Sequence, residues 1–343
     1  MSEAVSYDDV LLVPHYSNIR SRSEIDISAD MGNGLHLQLP IIASPMDTIS
    51  EAPMACAMAK FGGTAVLHRY NSIESQCRLV RLTKDISAHG PVIVGAAIGT
   101  SDDFKERASA LVEVGVNFLC VDVAHGHHVL MKEALDYLRK TFGDDLHIMA
   151  GNVATLEGVN ALADWGATSA RCNIGGGSIC STRVQTGHGV PGLQTIMDCA
   201  RTDRDIKIIA DGGIKNAGDI VKALAAGADA VMCGSLLAGT NETPGKIIEG
   251  KDGSRWKTYR GMASKEAQLG WRGKYSSFEG VATTIPYRGG IKYILNDLER
   301  GIRSGLSYSG ARNIADLQAK AQFISQSSLG LSESKTHITE RKW

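Results

Sequence analysis

The chain has 343 residues, 43% hydrophobic and 21% charged, with a formal net charge of −1. That length supports one large domain or two small ones, and the balanced charge gives no electrostatic reason to expect nucleic acid or an anionic membrane as partner. Seven cysteines (Cys56, Cys77, Cys120, Cys172, Cys180, Cys199 and Cys233) without a CxxC pair argue against a disulfide framework or structural zinc.

No apolar run reaches the roughly 18 residues of a membrane span. The start MSEAVSYDDVLL lacks the basic-then-apolar pattern of a secretory leader, so a cytoplasmic protein is expected. Short apolar runs then recur: LPIIAS at 39–44, GTAVLH at 63–68, PVIVGAAIG at 91–99 and NFLCVDVA at 117–124. They continue with HIMAGN at 147–152, SARCNI at 169–174, IKIIADGG at 206–213 and ADAVMCGSL at 228–236. Each is continuous rather than alternating, as expected of parallel strands covered on both faces. Helical patterns such as 102–114 and 216–226 lie between them, and Gly166-Ala167 and Gly227-Ala228 place glycine just past a helix end. Eight such units predict an α/β chain folded as a (β/α)8 TIM barrel with a parallel eight-stranded core. A doubly wound sheet is the rival, but the first strand runs into Ala43-Ser44-Pro45-Met46-Asp47-Thr48, which is no dinucleotide fingerprint.

Barrel chemistry sits at the C-terminal ends of the strands. Those ends carry Ser44, Met46 and Asp47, then His68 and Arg69, then Asp122 and His125, then Asn152. After the sixth strand, Gly175-Gly176-Gly177-Ser178-Ile179-Cys180-Ser181-Thr182-Arg183 joins a glycine loop to a cysteine beside positive charge. Glycines permit close backbone approach to a ligand, and a cysteine whose thiolate is favoured is a nucleophile. The last two strand ends, Asp211-Gly212-Gly213 and Cys233-Gly234-Ser235, form the loop pair that frequently binds phosphate, so a phosphorylated ligand is expected. Asp211 suits sugar hydroxyls rather than phosphate. Ala124-His125-Gly126-His127-His128 has no third ligand placed by spacing for a metal. The polar, glycine-rich stretch Arg272–Gly280 reads as a mobile lid.

These motifs, with Ala150-Gly151-Asn152-Val153, Tyr259-Arg260-Gly261-Met262, Tyr287-Arg288-Gly289 and Arg303-Ser304-Gly305-Leu306-Ser307-Tyr308, resemble the IMP dehydrogenase/GMP reductase family over nearly the whole chain. The resemblance implies one catalytic barrel domain over 1–343, with a flap at about 263–280 and a tail at about 326–343. No tandem regulatory (CBS) module interrupts it. Cys180 would attack purine C2, with Thr182 and Glu279 as the proton-handling pair. Ser178, Asp211, Gly213, Gly234, Ser235 and Tyr259 would hold phosphate and ribose. Met262 and Glu279 would contact the base, with Ser44, Met46 and Gly261 completing the substrate site. The nicotinamide would stack near Asp122 and Asn152, with Ala124 and Tyr308 also on the cofactor. A potassium ion is implied at the carbonyls of Gly175, Gly177 and Cys180, completed by Glu333, Ser334 and Lys335 of a neighbouring subunit in a homotetramer.

The family runs two reactions. Tyr259-Arg260-Gly261-Met262 and the tail Gly330–Ser334 look more like the dehydrogenase, which oxidises IMP with NAD and activates water with an Arg-Tyr pair. The segment from Met262 to Glu279 is short and holds only Lys274-Tyr275 in place of that pair, and lysine lacks arginine's planar fork. The reading adopted is NADPH-dependent reductive deamination of GMP to IMP. The alternatives are NAD-dependent oxidation of IMP to XMP and a catalytically silent nucleotide-binding barrel.

Overall fold

The computed structural model describes residues 3–85, 92–275 and 279–334. Pro91, Ser276–Phe278 and Lys335 therefore lie outside the described residues. The eight apolar runs become eight parallel strands: β1 (Ile41–Ala43), β2 (Thr64–Leu67), β3 (Gly95–Ile98), β4 (Phe118–Asp122), β5 (His147–Val153), β6 (Ser169–Cys172), β7 (Lys207–Asp211) and β8 (Ala230–Cys233). They pair in chain order, and β8 closes the barrel on β1 with Val231 opposite Ile41. The strand bodies are buried throughout, because side chains on one face fill the lumen and those on the other meet the helices. At the C-terminal ends Asp122, Asn152 and Asp211 are only half-buried, so the polar residues of each run are the ones that reach the barrel mouth.

The outer layer holds α1 (Ala52–Lys60), α2 (Ile73–Asp85), α3 (Phe104–Glu113), α4 (Val129–Phe142) and α5 (Leu156–Asp164), then, after the short exposed α6 (Thr182–Thr186) at the barrel mouth, α7 (Gly192–Cys199) and α8 (Ala217–Ala225). Local signals set their ends. Thr155 and Asn216 accept the Gly158 and Asp219 amides as N-caps. Gly166 and Gly227 follow α5 and α8 with φ of +98° and +111°, a conformation costly for residues with a Cβ.

After β8 the chain forms β9 (Arg255–Arg260), α9 (Lys265–Arg272), β10 (Ala282–Pro286) and α10 (Ile291–Tyr308). β9 and β10 pair antiparallel. α10 packs on α8, where a Cβ on Gly301 would stand 2.4 Å from that of Ala217 and one on Gly305 2.6 Å from Val221. Two glycines one helical turn apart thus let the helix backbones approach. Arg272, the first residue of the stretch expected as a lid, is the last residue of the helix α9, which is capped by Ser264 at its start and by Gly273 in the left-handed region at its end. The local helix signals are the serine at the N-cap and the glycine just past the end, since the alternating apolar residues at 267, 269 and 271 read as a strand.

Candidate functional site

A cavity of 420 Å³ opens at the C-terminal mouth of the barrel, lined by the strand-end residues named above except Asp47, His68, His125, Ser181 and Arg183. Of the substrate candidates it brings together Ser44, Met46, Ser178, Asp211, Gly213, Gly234, Ser235, Tyr259, Gly261 and Met262. The nucleotide-cofactor candidates Asp122, Ala124 and Asn152 share it with the catalytic candidates Cys180, Thr182 and Glu279.

Its phosphate-like end is backbone built. Gly212 and Gly213 both have positive φ, at +89° and +75°. Among the described residues the N–H groups of Gly213, Gly234 and Ser235 make no hydrogen bond within the protein, so three donors remain for an anion. A side chain at Gly234 would be crowded: a Cβ there would lie 3.1 Å from Met46 Sδ and 3.3 Å from Tyr259 Oη. Tyr259, 5% exposed, stands 3.4 Å from Ser178 Oγ, and burial pushes its phenol pKa up against the opposing bonds to Ser178 and Ser235.

The lumen end is charged. Arg171 on β6 is buried between two carboxylates, 2.5 Å from Asp122 Oδ1 and 2.8 Å from Asp211 Oδ2. Burial disfavours the guanidinium, but Asp211 and Asp122 more than offset this and raise its pKa. Asp211 Oδ2 also accepts from Asn152 Nδ2 at 2.8 Å. Asn152 reaches it because the β5–β6 pairing shifts register between Gly151 and Val153, a bulge that re-aims the extra residue. All of these bonds to Asp211 fall on Oδ2.

The reactive end is assembled from two loops. Cys180 is the exposed one of seven free cysteines; the other six are buried. Its Sγ donates to Thr182 Oγ1 at 3.1 Å, and Thr182 Oγ1 donates to Glu279 Oε2 at 2.8 Å. A small antiparallel bridge holds the loops together: Cys180 faces Gly280, Ser181 N donates to Glu279 O at 2.8 Å and Val281 N to Ile179 O at 3.1 Å. Burial pushes the thiol of Cys120 up to about 12 and that of Cys233 higher still, so neither competes as a nucleophile.

Four lining residues with polar side chains were not among the site residues expected from the sequence: Tyr70, Arg171, Asn173 and Gln268. Arg171 sits inside an apolar run, and an arginine in a strand with every neighbour buried is the signal that marks it. α9 is fixed over the mouth by Trp271, stacked on Tyr70 at 4.2 Å, while Tyr70 Oη donates to Met262 O at 2.7 Å. Tyr308 is not brought to this cavity. It is the last residue of α10, outside the barrel on α8, 63% exposed, with its carbonyl accepting from His15 N. Glu333 and Ser334 end a short helix, where Ser334 Oγ donates to Gln326. His128 caps α4 through Leu130 N, and His127 lies against Trp165. Among the described residues no group of His, Cys, Asp and Glu side chains is arranged to hold a metal ion.

A family model described as IMP dehydrogenase / GMP reductase domain matches residues 4–337. Inosine-5'-monophosphate dehydrogenase of Nitrosopumilus maritimus is 32% identical, with 98% of each chain covered. GMP reductase of Leishmania major is 33% identical, covering 98% of this chain and 97% of the relative. These alignments run over 469 and 479 positions, more than the 343 residues of this chain, so both relatives carry segments without a counterpart here. A solved structure of a cysteine-to-alanine variant of GMP reductase from Trypanosoma brucei, in complex with guanosine 5'-monophosphate, superposes with a TM-score of 0.92 at 30% identity, covering 98% of both chains. An eight-stranded barrel with an exposed cysteine at its sixth strand end, matched along its length to both kinds of relative, belongs to the IMP dehydrogenase/GMP reductase family of purine nucleotide oxidoreductases.

Proposed function

We propose that this protein is a GMP reductase, converting GMP to IMP and ammonia with NADPH. The observation that carries this reading is the unbroken chain Cys180 Sγ–Thr182 Oγ1–Glu279 Oε2 at the cavity mouth. Cys180 attacks purine C2 and makes a tetrahedral adduct. The 2-amino group then departs as ammonia, with a proton delivered from Glu279 through Thr182, leaving the purine bound to sulfur with C2 unsaturated. The reduced nicotinamide, when bound, supplies hydride to C2. Departure of the Cys180 thiolate restores the enzyme and releases IMP. The amide donors of Gly213, Gly234 and Ser235 hold the phosphate, and the free oxygen of Asp211 accepts from ribose hydroxyls.

Support for this direction comes from the flap. Water activation would fall to Lys274-Tyr275, yet both are exposed and neither lines the cavity; the Tyr275 ring lies 4.8 Å from Lys265 Nζ. A site without a water-activating pair suits a reaction that consumes none. The dinucleotide fits beside Asp122, Ala124 and Asn152, where Arg69, whose buried Nε has no hydrogen-bond partner, adds positive charge. Potassium fits the neutral carbonyls of Gly175, Gly177 and Cys180. The Gly177 carbonyl accepts from Cys180 N at 3.1 Å and keeps a second lone pair. In this reading Glu333, Ser334 and Lys335 come from the next subunit of a cytoplasmic homotetramer, activity depends on potassium, and truncation before Gly330 lowers it.

The test is absorbance at 340 nm with each nucleotide–cofactor pair. GMP with NADPH should consume absorbance. Production of NADH from IMP and NAD, without GMP reduction, overturns the assignment in favour of the dehydrogenase.

A further inference from the structure

Asn173, the first residue after β6, is 4% exposed. Its Nδ2 donates to the carbonyls of Asp211 at 2.8 Å and Gly212 at 3.4 Å. This fixes the amide, since the opposite orientation would set Oδ1 against two carbonyl oxygens. Oδ1 is left buried without a hydrogen-bond partner. Asn173 borders both the main cavity and a neighbouring one of 250 Å³ that is also lined by Tyr7 and Lys215.

The glycine loop packs directly on this amide. A Cβ on Gly176 would stand 2.3 Å from Nδ2 and 2.6 Å from Oδ1. The glycine loop rests directly on the turn after β7: a Cβ on Gly213 would meet Gly176 O at 3.2 Å, and one on Gly212 would meet Gly177 Cα at 3.4 Å. One side chain therefore ties the anion-facing turn to the loop that carries Cys180, and it forces its neighbour at 176 to be glycine.

We propose that Asn173 is a positioning residue, clamping the Gly212–Gly213 turn to the Gly175–Cys180 loop so that an anion held at the turn sets the placement of the nucleophile. The inference rests on the reading of Gly213 as phosphate-binding and Cys180 as nucleophile. It goes beyond it by coupling the two through a residue whose side-chain hydrogen bonds run only to the carbonyls of Asp211 and Gly212.

The experiment follows iodoacetamide alkylation of Cys180 by intact-protein mass spectrometry, with no addition, with inorganic phosphate and with GMP. Variants are Asn173→Gly, Gly176→Ala and the double substitution, each checked by thermal melting. In the wild type, phosphate alone should alter the alkylation rate. In Asn173→Gly that response should vanish, with KM for nucleotide raised about tenfold and kcat changed less, the scale of coupling between contacting residues. Gly176→Ala should be severely impaired, and adding Asn173→Gly should recover at least about tenfold in kcat/KM, because the three atoms nearest the added Cβ all belong to that side chain. If GMP leaves wild-type alkylation unchanged, the reading of the site itself fails. If GMP protects the wild type while Asn173→Gly keeps the phosphate response and KM, the clamp alone is overturned. A double variant no better than Gly176→Ala overturns it equally.

Discussion

The two ends of the cavity are built on different principles. The lumen and phosphate-like end is made by barrel strands: Arg171 buried between Asp122 and Asp211, and three amide donors at the ends of β7 and β8. The reactive end is made by two loops, with Thr182 and Glu279 meeting across 97 residues of chain and held by one short bridge. The first is as rigid as the closed barrel that presents it. The second exists only when the flap end docks on the Cys180 loop. Substitutions in the strands should therefore register mainly in stability, and substitutions in the loops mainly in rate.

Cys180→Ala is the sharpest test of that division. Turnover should fall on the order of 10⁴-fold or more, while calorimetric nucleotide binding and the melting temperature stay near wild type. Near-normal turnover would end the covalent mechanism. Glu279→Gln should cost ~10²–10⁴-fold in ammonia release, the usual weight of a general acid, with GMP still bound. A loss confined to KM would instead assign Glu279 to binding alone.

On the strand side, Arg171→Ala strands two buried carboxylates, and breaking such a cluster costs about 3–5 kcal/mol. An unchanged denaturation midpoint would show the cluster to be solvated. His147, at the start of β5, gives the smallest effect. Burial lowers its pKa to about 4, only partly opposed by the bond to Gly32 O, and Ser169 Oγ lies 2.9 Å from its Nε2. The unfolded chain takes up a proton near its ordinary value of about 6.5. The stabilisation is thus complete above that pH and declines as pH falls towards 4, by at most about 3 kcal/mol. Denaturant midpoints at pH 7.5 and 4.5 should converge in His147→Gln relative to wild type. An equal pH slope in both proteins would exclude this imidazole as the cause.

What the sequence determined by itself was the scaffold. Continuous apolar runs predict buried parallel strands, and all eight fall where the runs do, because burial on both faces is a local demand on composition. The same holds for Gly166 and Gly227, whose positive φ is dictated within one helical turn. Cys180 was legible as a candidate nucleophile from its glycine loop and the arginine beside it, whereas Thr182 and Glu279 were legible only through motifs that resemble a family. Tertiary structure alone decided the remainder: α9 over the mouth, Tyr308 on the outside, and Arg171 with Asp122 and Asp211, which lie 49 and 40 residues from it. Those pairings depend on strand order and barrel closure, which bring side chains together across distances that no local periodicity encodes. Asn173 looks like an ordinary loop asparagine in the sequence, and only the closed contact with Gly176 and the turn after β7 gives it a task.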